Sequence, residues 1–520
     1  MTVDAVEWAS VAELAAALDA GEISAVELAQ HCLDRIAARD ERTNAVLALN
    51  PAALSIAAER DHERAAGQTA GPLHGIPVLV KDNLDTGDGM PTTAGSLALE
   101  GTCASEDSGV VARLRAAGAV LLGKTNLSEW ANFRSARSSS GWSSLGGQVR
   151  NPHALDRTPG GSSSGSGVTV AAGYCPLAIG TETSGSIVNP SAMNGIVGIK
   201  PTVGLVGRSG IIPIAAGQDT AGPMARSVAD AAAMLGAIAG SDPRDGATAE
   251  ADARRIADYA ACADPDGLRG RRLGLAVNYC GFDERVDALI VDSLDAMRDA
   301  GAEIIEVELV RVEEVRPYET EVMLYEFKAG IDAYLAGRDR RTGIRSLSDV
   351  AAFNRANAER VMPFYGQDLI ERALEKGGLD DAAYRQARAT SLRLARDEGL
   401  DRLLREHRLD AVLAPSAGLP WLIDWANGDN RRGTSAGIAA VAGYPNISVP
   451  AGSIHGLPLN LSFVGPAWGE PGLIAIAAGF EHVSQARLCP AFADTADFTI
   501  AAPPCLPSDL GRRRDAPGPW

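Results

Sequence analysis

A serine preceded by small residues and a lysine closing an apolar run are the groups in this 520-residue sequence best suited to nucleophilic chemistry. The serine is Ser186, in the stretch TETSGSIVNP that begins at Thr181. Thr183, Ser184 and Gly185 leave backbone N–H groups unobstructed, so these three and Ser186 itself form a candidate oxyanion hole around an attacking hydroxyl. A serine also needs a base, and no histidine occurs between His153 and His407. Lys81 follows the apolar run at 76–80. A lysine in that position is desolvated in its charged form, which lowers its pKa from about 10.4 toward neutrality and makes it a usable base. The other reading of Lys81 is a side chain that emerges into solvent at a strand end.

A second serine cluster competes. GSSSG at residues 161–165 fits G-x-S-x-G, with Ser163 at the position of a nucleophile elbow and Asp and His residues downstream for a triad. Such a match arises readily in a Gly/Ser-rich run, and residues 151–159 ahead of it are polar and turn-like where an elbow needs a strand. The elbow reading requires that Ser163→Ala abolish activity while Lys81→Ala spares it.

Both serine segments lie in a neutral centre. Between Thr158 and Ile199 the one charged residue is Glu182, in a chain whose charged fraction is 22%. A flexible linker is excluded, because apolar runs of strand or helix length at 168–172, 176–179 and 196–199 interrupt the Gly/Ser. The segment is therefore predicted to be buried, with its serine hydroxyls hydrogen-bonded.

The elements that must position these residues follow from capping and periodicity. Capping boxes at Ser10–Glu13 and Ser24–Glu27 open the chain with a helical hairpin broken at Gly21. A strand at 76–80, a helix at 108–117 and a strand at 120–122 begin an α/β alternation. Ser227 caps a further helix, 243–266 reads as an exposed connection, and the alternation resumes with a strand at 273–277, a helix at 286–300 and a strand at 304–309. Residues 310–408 are mostly helical and highly charged, which suggests a cap or insertion over the core. Strands at 411–413, 447–449 and 459–463 close the sheet. The predicted fold is α/β, one large mixed and twisted β-sheet covered by α-helices on both faces. A single domain is expected over 1–500, followed by an irregular Pro-rich tail at 501–520.

Four blocks then carry a resemblance. GPLHGIPVLVKDN (71–83), PGGSSSG (159–165), GTETSGSI (180–187) and GIKPT (198–202), in this order and spacing, resemble the amidase signature family. The likeness extends from the N-terminal hairpin to the regions of Pro445 and Pro458, which is most of the chain. It implies the amidase signature fold and a Ser-cisSer-Lys triad, carried over onto Ser186, Ser162 and Lys81. In that arrangement Lys81 takes a proton from Ser162, which takes one from Ser186 as it attacks an amide carbonyl; the relay protonates the leaving amine, and water then cleaves the acyl-enzyme. Ser163, Ser164 and Ser166 are expected to bond backbone or support Ser162, Ser164 foremost. Asp82 and Asn83 either orient Lys81 or cap a turn.

Within the family, residues 123–135, 141–142, 218–222 and 324–328 are most similar to bacterial peptide amidases. This implies release of ammonia from C-terminal carboxamides of peptides, with internal peptide bonds left alone. Trp130, Phe133 and Trp142 are candidates for an acyl pocket, with a plain core role as the alternative, and Gln218 and Asp219 are candidates for further substrate contacts. Val188 stands where many members carry Arg, which disfavours the amidotransferase that acts in transfer-RNA amidation. Ser184 and Asn189 depart from the family pattern beside the nucleophile, and either bind a polar acyl group or satisfy backbone. Aryl-acylamidase or aliphatic amidase activity, or acyl transfer to another amine, remains open with the same triad.

Bulk properties exclude several classes. The net charge of −18, with the lone basic run at 512–514, argues against nucleic acid as a partner. The start MTVDAVEWAS lacks a basic segment followed by an apolar one, so no export signal is read and a cytoplasmic location is expected. The uncharged run at 158–181 is long enough to span a bilayer but rich in Gly and Ser, so no membrane span is expected. Seven scattered cysteines without C-x-x-C fit a reducing compartment, and dispersed histidines without H-E-x-x-H give no metal site. The expected partner is an amide substrate, small or peptidic, bound without cofactor by a monomer or homo-oligomer.

Overall fold

The capping boxes form where the sequence places them. Ser10 Oγ accepts the Glu13 N–H (3.2 Å) at the head of the helix Val11–Asp19, and Ser24 Oγ accepts the Glu27 N–H (3.1 Å) at the head of Ala25–Thr43. Caps of this kind contribute about 1 kcal/mol each. Gly21, at φ 68°, makes the left-handed turn between the two helices. The structure, a computed structural model, describes residues 3–338 and 342–500, so the tail expected at 501–520 lies outside the described residues.

Among the described residues eleven strands form one sheet and two more a small hairpin. In chain order they are β1 (Val46–Leu49), β2 (Pro77–Lys81), β3 (Val120–Thr125), β4 (Trp142–Ser143), β5 (Gly147–Gln148), β6 (Leu177–Glu182) and β7 (Val197–Lys200). There follow β8 (Thr220–Ala225), β9 (Arg272–Ala276), β10 (Glu303–Val307), β11 (Ala411–Pro415), β12 (Asn446–Ile454) and β13 (Leu457–Val464). The sheet runs β1-β3-β2-β6-β8-β7-β12-β13-β11-β9-β10, with β4 and β5 as the hairpin. It is mixed: β2 is parallel to β3 and β6, and β9 is parallel to β10 and β11, while the remaining pairings are antiparallel.

Every residue of β2 and β6 is buried, and successive side chains of a strand point to opposite faces, so both faces of the sheet are covered there. The helices Ser164–Ala171 and Val228–Ile238 both pack on β6. This is the α/β architecture expected from the sequence.

Differences from the sequence reading have local causes. The segment 243–266 is not simply exposed: it folds into short helical turns at Gly246–Thr248, Ala251–Arg254 and Ala260–Cys262, and buries Thr248, Ala251 and Tyr259. β8 (TAGPMA) escapes strand patterns because Gly222 and Pro223 sit in the middle of a central strand, where both are unusual. The helix Glu470–Ser484 also lies outside the elements read from the sequence.

The helical section over 310–408 is built from Val312–Ala336, Leu347–Ala356, Asp368–Leu374, Ala382–Leu392 and shorter turns. It has a core of its own, in which Leu324, Phe327, Leu347 and Ile370 cluster with Trp130, Phe133, Ile212 and Ile214 from the loops beside the sheet. The section is thereby fixed against the loops that follow β3 and β7. No helix among the described residues is long and apolar enough to cross a membrane.

The Ser164–Ala171 helix enters at a point of close backbone approach. Gly165 N–H donates to Asn126 O at 2.9 Å, and a Cβ on Gly165 would lie 2.5 Å from that oxygen and closer still to Ala45 O, both rigid backbone atoms. Gly165→Ala is therefore expected to destabilise the fold by roughly 1–3 kcal/mol, read from the urea midpoint. Gly246→Ala, where nothing lies within 4 Å of the added carbon, serves as the neutral comparison.

Candidate active site

Parallel pairing of β2 with β6, with Val80 beside Ile179, brings Lys81 against Thr181 at the carboxyl ends of two fully buried strands. Lys81 is 0% exposed, which overturns the solvent-facing reading. Its Nζ donates to Ser162 Oγ (2.8 Å), Thr181 Oγ1 (2.8 Å) and Thr181 O (3.3 Å). Asn83 Nδ2 donates to the same Thr181 Oγ1 at 2.9 Å, so Asn83 reaches the lysine through Thr181. Burial brings the Lys81 pKa down to about 7, with the carboxylates of Glu182 and Asp219 pulling weakly the other way.

Ser162 sits in a loop that glycines and serines hold from several sides. The Gly161–Ser162 peptide bond is cis. Gly161 N–H donates to Asn189 Oδ1 at 3.1 Å, and Gly160, at φ 69°, has no room for a Cβ, which would lie 2.6 Å from that same oxygen. Ser164 Oγ donates to Gly160 O (2.6 Å), and Ser166 Oγ donates to Ile179 O (2.9 Å). Ser163 Oγ donates to Thr181 O (3.0 Å) and accepts the Thr181 N–H (3.1 Å). The buried serines are thus satisfied, as burial demands. Ser163 follows a loop, not a strand, and its hydroxyl is fastened to the Thr181 backbone; the geometry does not support the elbow reading.

Ser186 lies one loop away, its carbonyl accepting the Ser163 N–H at 3.2 Å. Glu182, the one charge of the neutral centre, takes the Ile187 N–H (2.7 Å) and the Val188 N–H (3.0 Å) on Oε2. Among the described residues no backbone hydrogen bond engages the N–H groups of Ser184, Gly185 and Ser186. Gly185, at φ 88°, adopts the left-handed conformation that favours glycine. These N–H groups, just before and at Ser186, are therefore unclaimed by backbone partners.

Several residues expected to touch substrate instead brace this loop. Thr183 Oγ1 donates to Asp219 Oδ1, and Asp219 Oδ2 accepts the N–H groups of Ile214 (2.9 Å) and Ala215 (3.0 Å). Burial pushes the Asp219 pKa up to about 6. Gln218 Nε2 donates to Thr183 O (3.1 Å) and Glu319 Oε1 (3.1 Å). Ser184 hydrogen-bonds the Glu319 carboxyl, whose pKa is raised by burial. Asn189 acts on backbone, through Gly161. Asp82 does not reach Lys81: it accepts hydrogen bonds from the Thr93 N–H (3.1 Å) and hydroxyl and lies 3.9 Å from Lys124 Nζ.

Ser186, 8% exposed, lines a cleft of about 370 Å³. Gly161, Phe133 and Trp421 line it too, and so do Val312, Met323 and Leu369 from the helical section, which therefore closes over the site as a cap would. Of the three predicted aromatic contacts only Phe133 is in the wall. Trp130 is in the core, edge-on to Phe327, and Trp142 packs under the Arg134 guanidinium and against Tyr365. Residue type alone does not single out Thr181, Glu319 or Trp421; only the β2–β6 register and the fold of distant segments place them here.

Known proteins share this chain's pattern over most of its length. The sequence model of the Amidase family matches residues 27–474. The chain belongs to the amidase signature family. It is 51% identical to the native peptide amidase from Stenotrophomonas maltophilia, with a TM-score of 0.88 covering 93% of this chain and 99% of that one. It is 36% identical over 497 residues to a probable amidase of Arabidopsis thaliana, covering 94% of this chain and 92% of the relative. It is also 35% identical to a glutamyl-tRNA(Gln) amidotransferase component of Salinispora tropica, covering 91% and 97% respectively. The enzyme is an amidase, a hydrolase of amide C–N bonds.

The buried lysine sets a pH dependence. If neutral Lys81 is the base, kcat/KM falls about tenfold per pH unit below about 7 and levels above it. Stability carries the same sign: the folded pKa lies below the unfolded one of 10.5, so the native state loses stability as pH falls between 10.5 and 7, and the full cost is present below 7. At pH 7 this cost is about 4 kcal/mol. Lys81→Met is accordingly expected to be inactive yet no less stable than the parent at pH 7. Thermal melts and a pH–rate profile check both, and an unstable variant with a flat parent profile would contradict the buried-base account.

Proposed function

We propose that this enzyme is a serine amidase that converts the C-terminal carboxamide of peptides to the free acid and ammonia, with Ser186 as nucleophile, Ser162 as relay and Lys81 as base. The observation that carries the reading is the 2.8 Å hydrogen bond from Lys81 Nζ to Ser162 Oγ, made in full burial beneath the cleft that Ser186 lines. The substrate class is supported by the 51% identity to a peptide amidase and by a cleft within the usual size range of small-ligand sites.

The chemistry follows from the proton inventory. Ser186 Oγ attacks the carboxamide carbon; its proton moves to Ser162 Oγ as the Ser162 proton moves to neutral Lys81 Nζ. The oxyanion that forms is met by the N–H groups around Ser184–Ser186, in a site where burial strengthens each hydrogen bond. Collapse of the tetrahedral intermediate breaks the C–N bond. The departing nitrogen takes a proton from Ser162, which Lys81 reprotonates, and ammonia leaves. Water then attacks the Ser186 ester by the same relay and frees the carboxylate.

A panel of an amidated dipeptide, an anilide and a short aliphatic amide tests this. The dipeptide amide should release ammonia fastest, and Lys81→Ala, Ser162→Ala and Ser186→Ala should each lose at least about a thousandfold in kcat/KM. Cleavage of the anilide alone would keep the triad and replace the substrate; full activity in Ser186→Ala would refute the nucleophile.

A further inference from the structure

We propose that the cleft selects amides whose acyl part carries carboxylates, acidic peptide amides foremost, through Arg372 and Arg432 at its rim, with Arg316 and Arg431 adding positive charge there. The inference rests on the amidase reading above and narrows its substrate class.

The chain as a whole is strongly acidic, with 66 Asp and Glu against 48 Lys and Arg. The cleft reverses that balance, for these four arginines line it with Glu319 as the one acidic residue in its wall. Glu319 is buried, and burial raises its pKa against the hydrogen bonds of Ser184 and Gln218 and the charge of Arg316, which lower it.

The arginines come from two separate parts of the chain. Arg316 and Arg372 stand on the helices Val312–Ala336 and Asp368–Leu374 of the cap, and Arg431 and Arg432 on the loop before the helix Ala436–Ala442. Arg432 is anchored through its carbonyl, which accepts the Gly418 N–H at 2.8 Å.

Nearby carboxylates are already engaged. Asp429 takes the Ser140 N–H (2.9 Å), the Ser140 hydroxyl (2.5 Å), Trp421 Nε1 (3.3 Å) and Arg431 (3.1 Å). Asp368 takes the Ser135 hydroxyl and the Ala136 N–H (3.3 Å), and Glu371 lies 3.5 Å from Arg355. Among the described residues no ion pair holds Arg372 or Arg432. When the leaving group is ammonia, only the acyl part of the substrate can extend to this rim, so the charge it meets must be on that part. Guanidinium forks suit carboxylates by geometry as well as by charge.

The test compares blocked dipeptide amides that share the amidated residue and carry Asp, Asn or Lys before it, in the parent and in the Arg372→Gln/Arg432→Gln double variant. The Asp amide should lead the Asn amide by roughly three- to tenfold in kcat/KM, mainly through KM, with the Lys amide last. The lead should collapse toward one in the double variant and in about half-molar salt. An Asn or Lys amide as good as the Asp amide, or a lead unchanged in the double variant, overturns the proposal.

A second arm separates it from the peptide reading. If no peptide amide releases ammonia but anilides are cleaved, preference for a succinyl over a butyryl anilide upholds the arginine rim while the peptide substrate falls. Equal cleavage of the two anilides overturns the rim itself.

Discussion

Desolvation of Lys81 is the constraint around which the rest is arranged. Burial disfavours the charged form of an ammonium, and an anion in contact would hold the proton on the lysine. The structure surrounds Lys81 with polar but uncharged groups: the Ser162 hydroxyl, the Thr181 hydroxyl and carbonyl, and Asn83 one bond further out. This accounts for the neutral composition of residues 158–199. The single carboxylate there, Glu182, is engaged by the Ile187 and Val188 N–H groups, where it shapes the loop of Ser186 without forming an ion pair with Lys81.

Burial alone does not make a base. Lys200 closes β7, Lys124 is the last residue but one of β3, and both are also 0% exposed. Lys124 donates to Leu84 O (2.7 Å) and Thr92 Oγ1 (3.0 Å) with Asp82 at 3.9 Å, and Lys200 donates to Pro201 O (2.9 Å). Lys81 differs in its partner, a serine hydroxyl held in a loop that leads to the cleft. Position relative to Ser162, set by the parallel β2–β6 pairing, is what distinguishes Lys81 from the other two lysines.

The same distinction decides what is legible in the sequence. Ser186 and Lys81 stand out because their signals are local, small neighbours before a serine and an apolar run before a lysine, whereas Ser162 is reached only through the four motif blocks in order. Helices with capping boxes and strands with uninterrupted apolar runs are equally readable. What escapes depends on contacts between distant segments. Gln218 and Asp219 look like substrate ligands by type, yet they tie Thr183 to Glu319 and to the Ile214–Ala215 backbone. Trp130 and Trp142 look like pocket walls, but each faces a partner from the helical section, Phe327 and Tyr365, that no sequence pattern pairs with it.

The buried floor and the outer walls of the cleft consequently rest on different kinds of structure. Lys81, Ser162 and Ser186 are positioned by strands β2 and β6 and by loops whose polar atoms are bonded to backbone, so small changes there disturb several hydrogen bonds at once. The outer walls come from 312–372 and 417–437, where side chains on helices and a loop surround the same floor. That rim and the buried network meet at Glu319, which bonds Ser184 and Gln218, and at Thr158, whose N–H donates to Trp421 O (2.8 Å) and whose Oγ1 accepts the Gly160 N–H (3.1 Å). Such a division separates the buried floor from the side chains of the cleft wall. It is consistent with family-wide likeness over 27–474 among proteins named for a peptide amidase and for an amidotransferase. Glu319 is then a residue through which a change in the helical section reaches the loop of Thr183 and Ser186, since it bonds Ser184 and the Gln218 that braces Thr183.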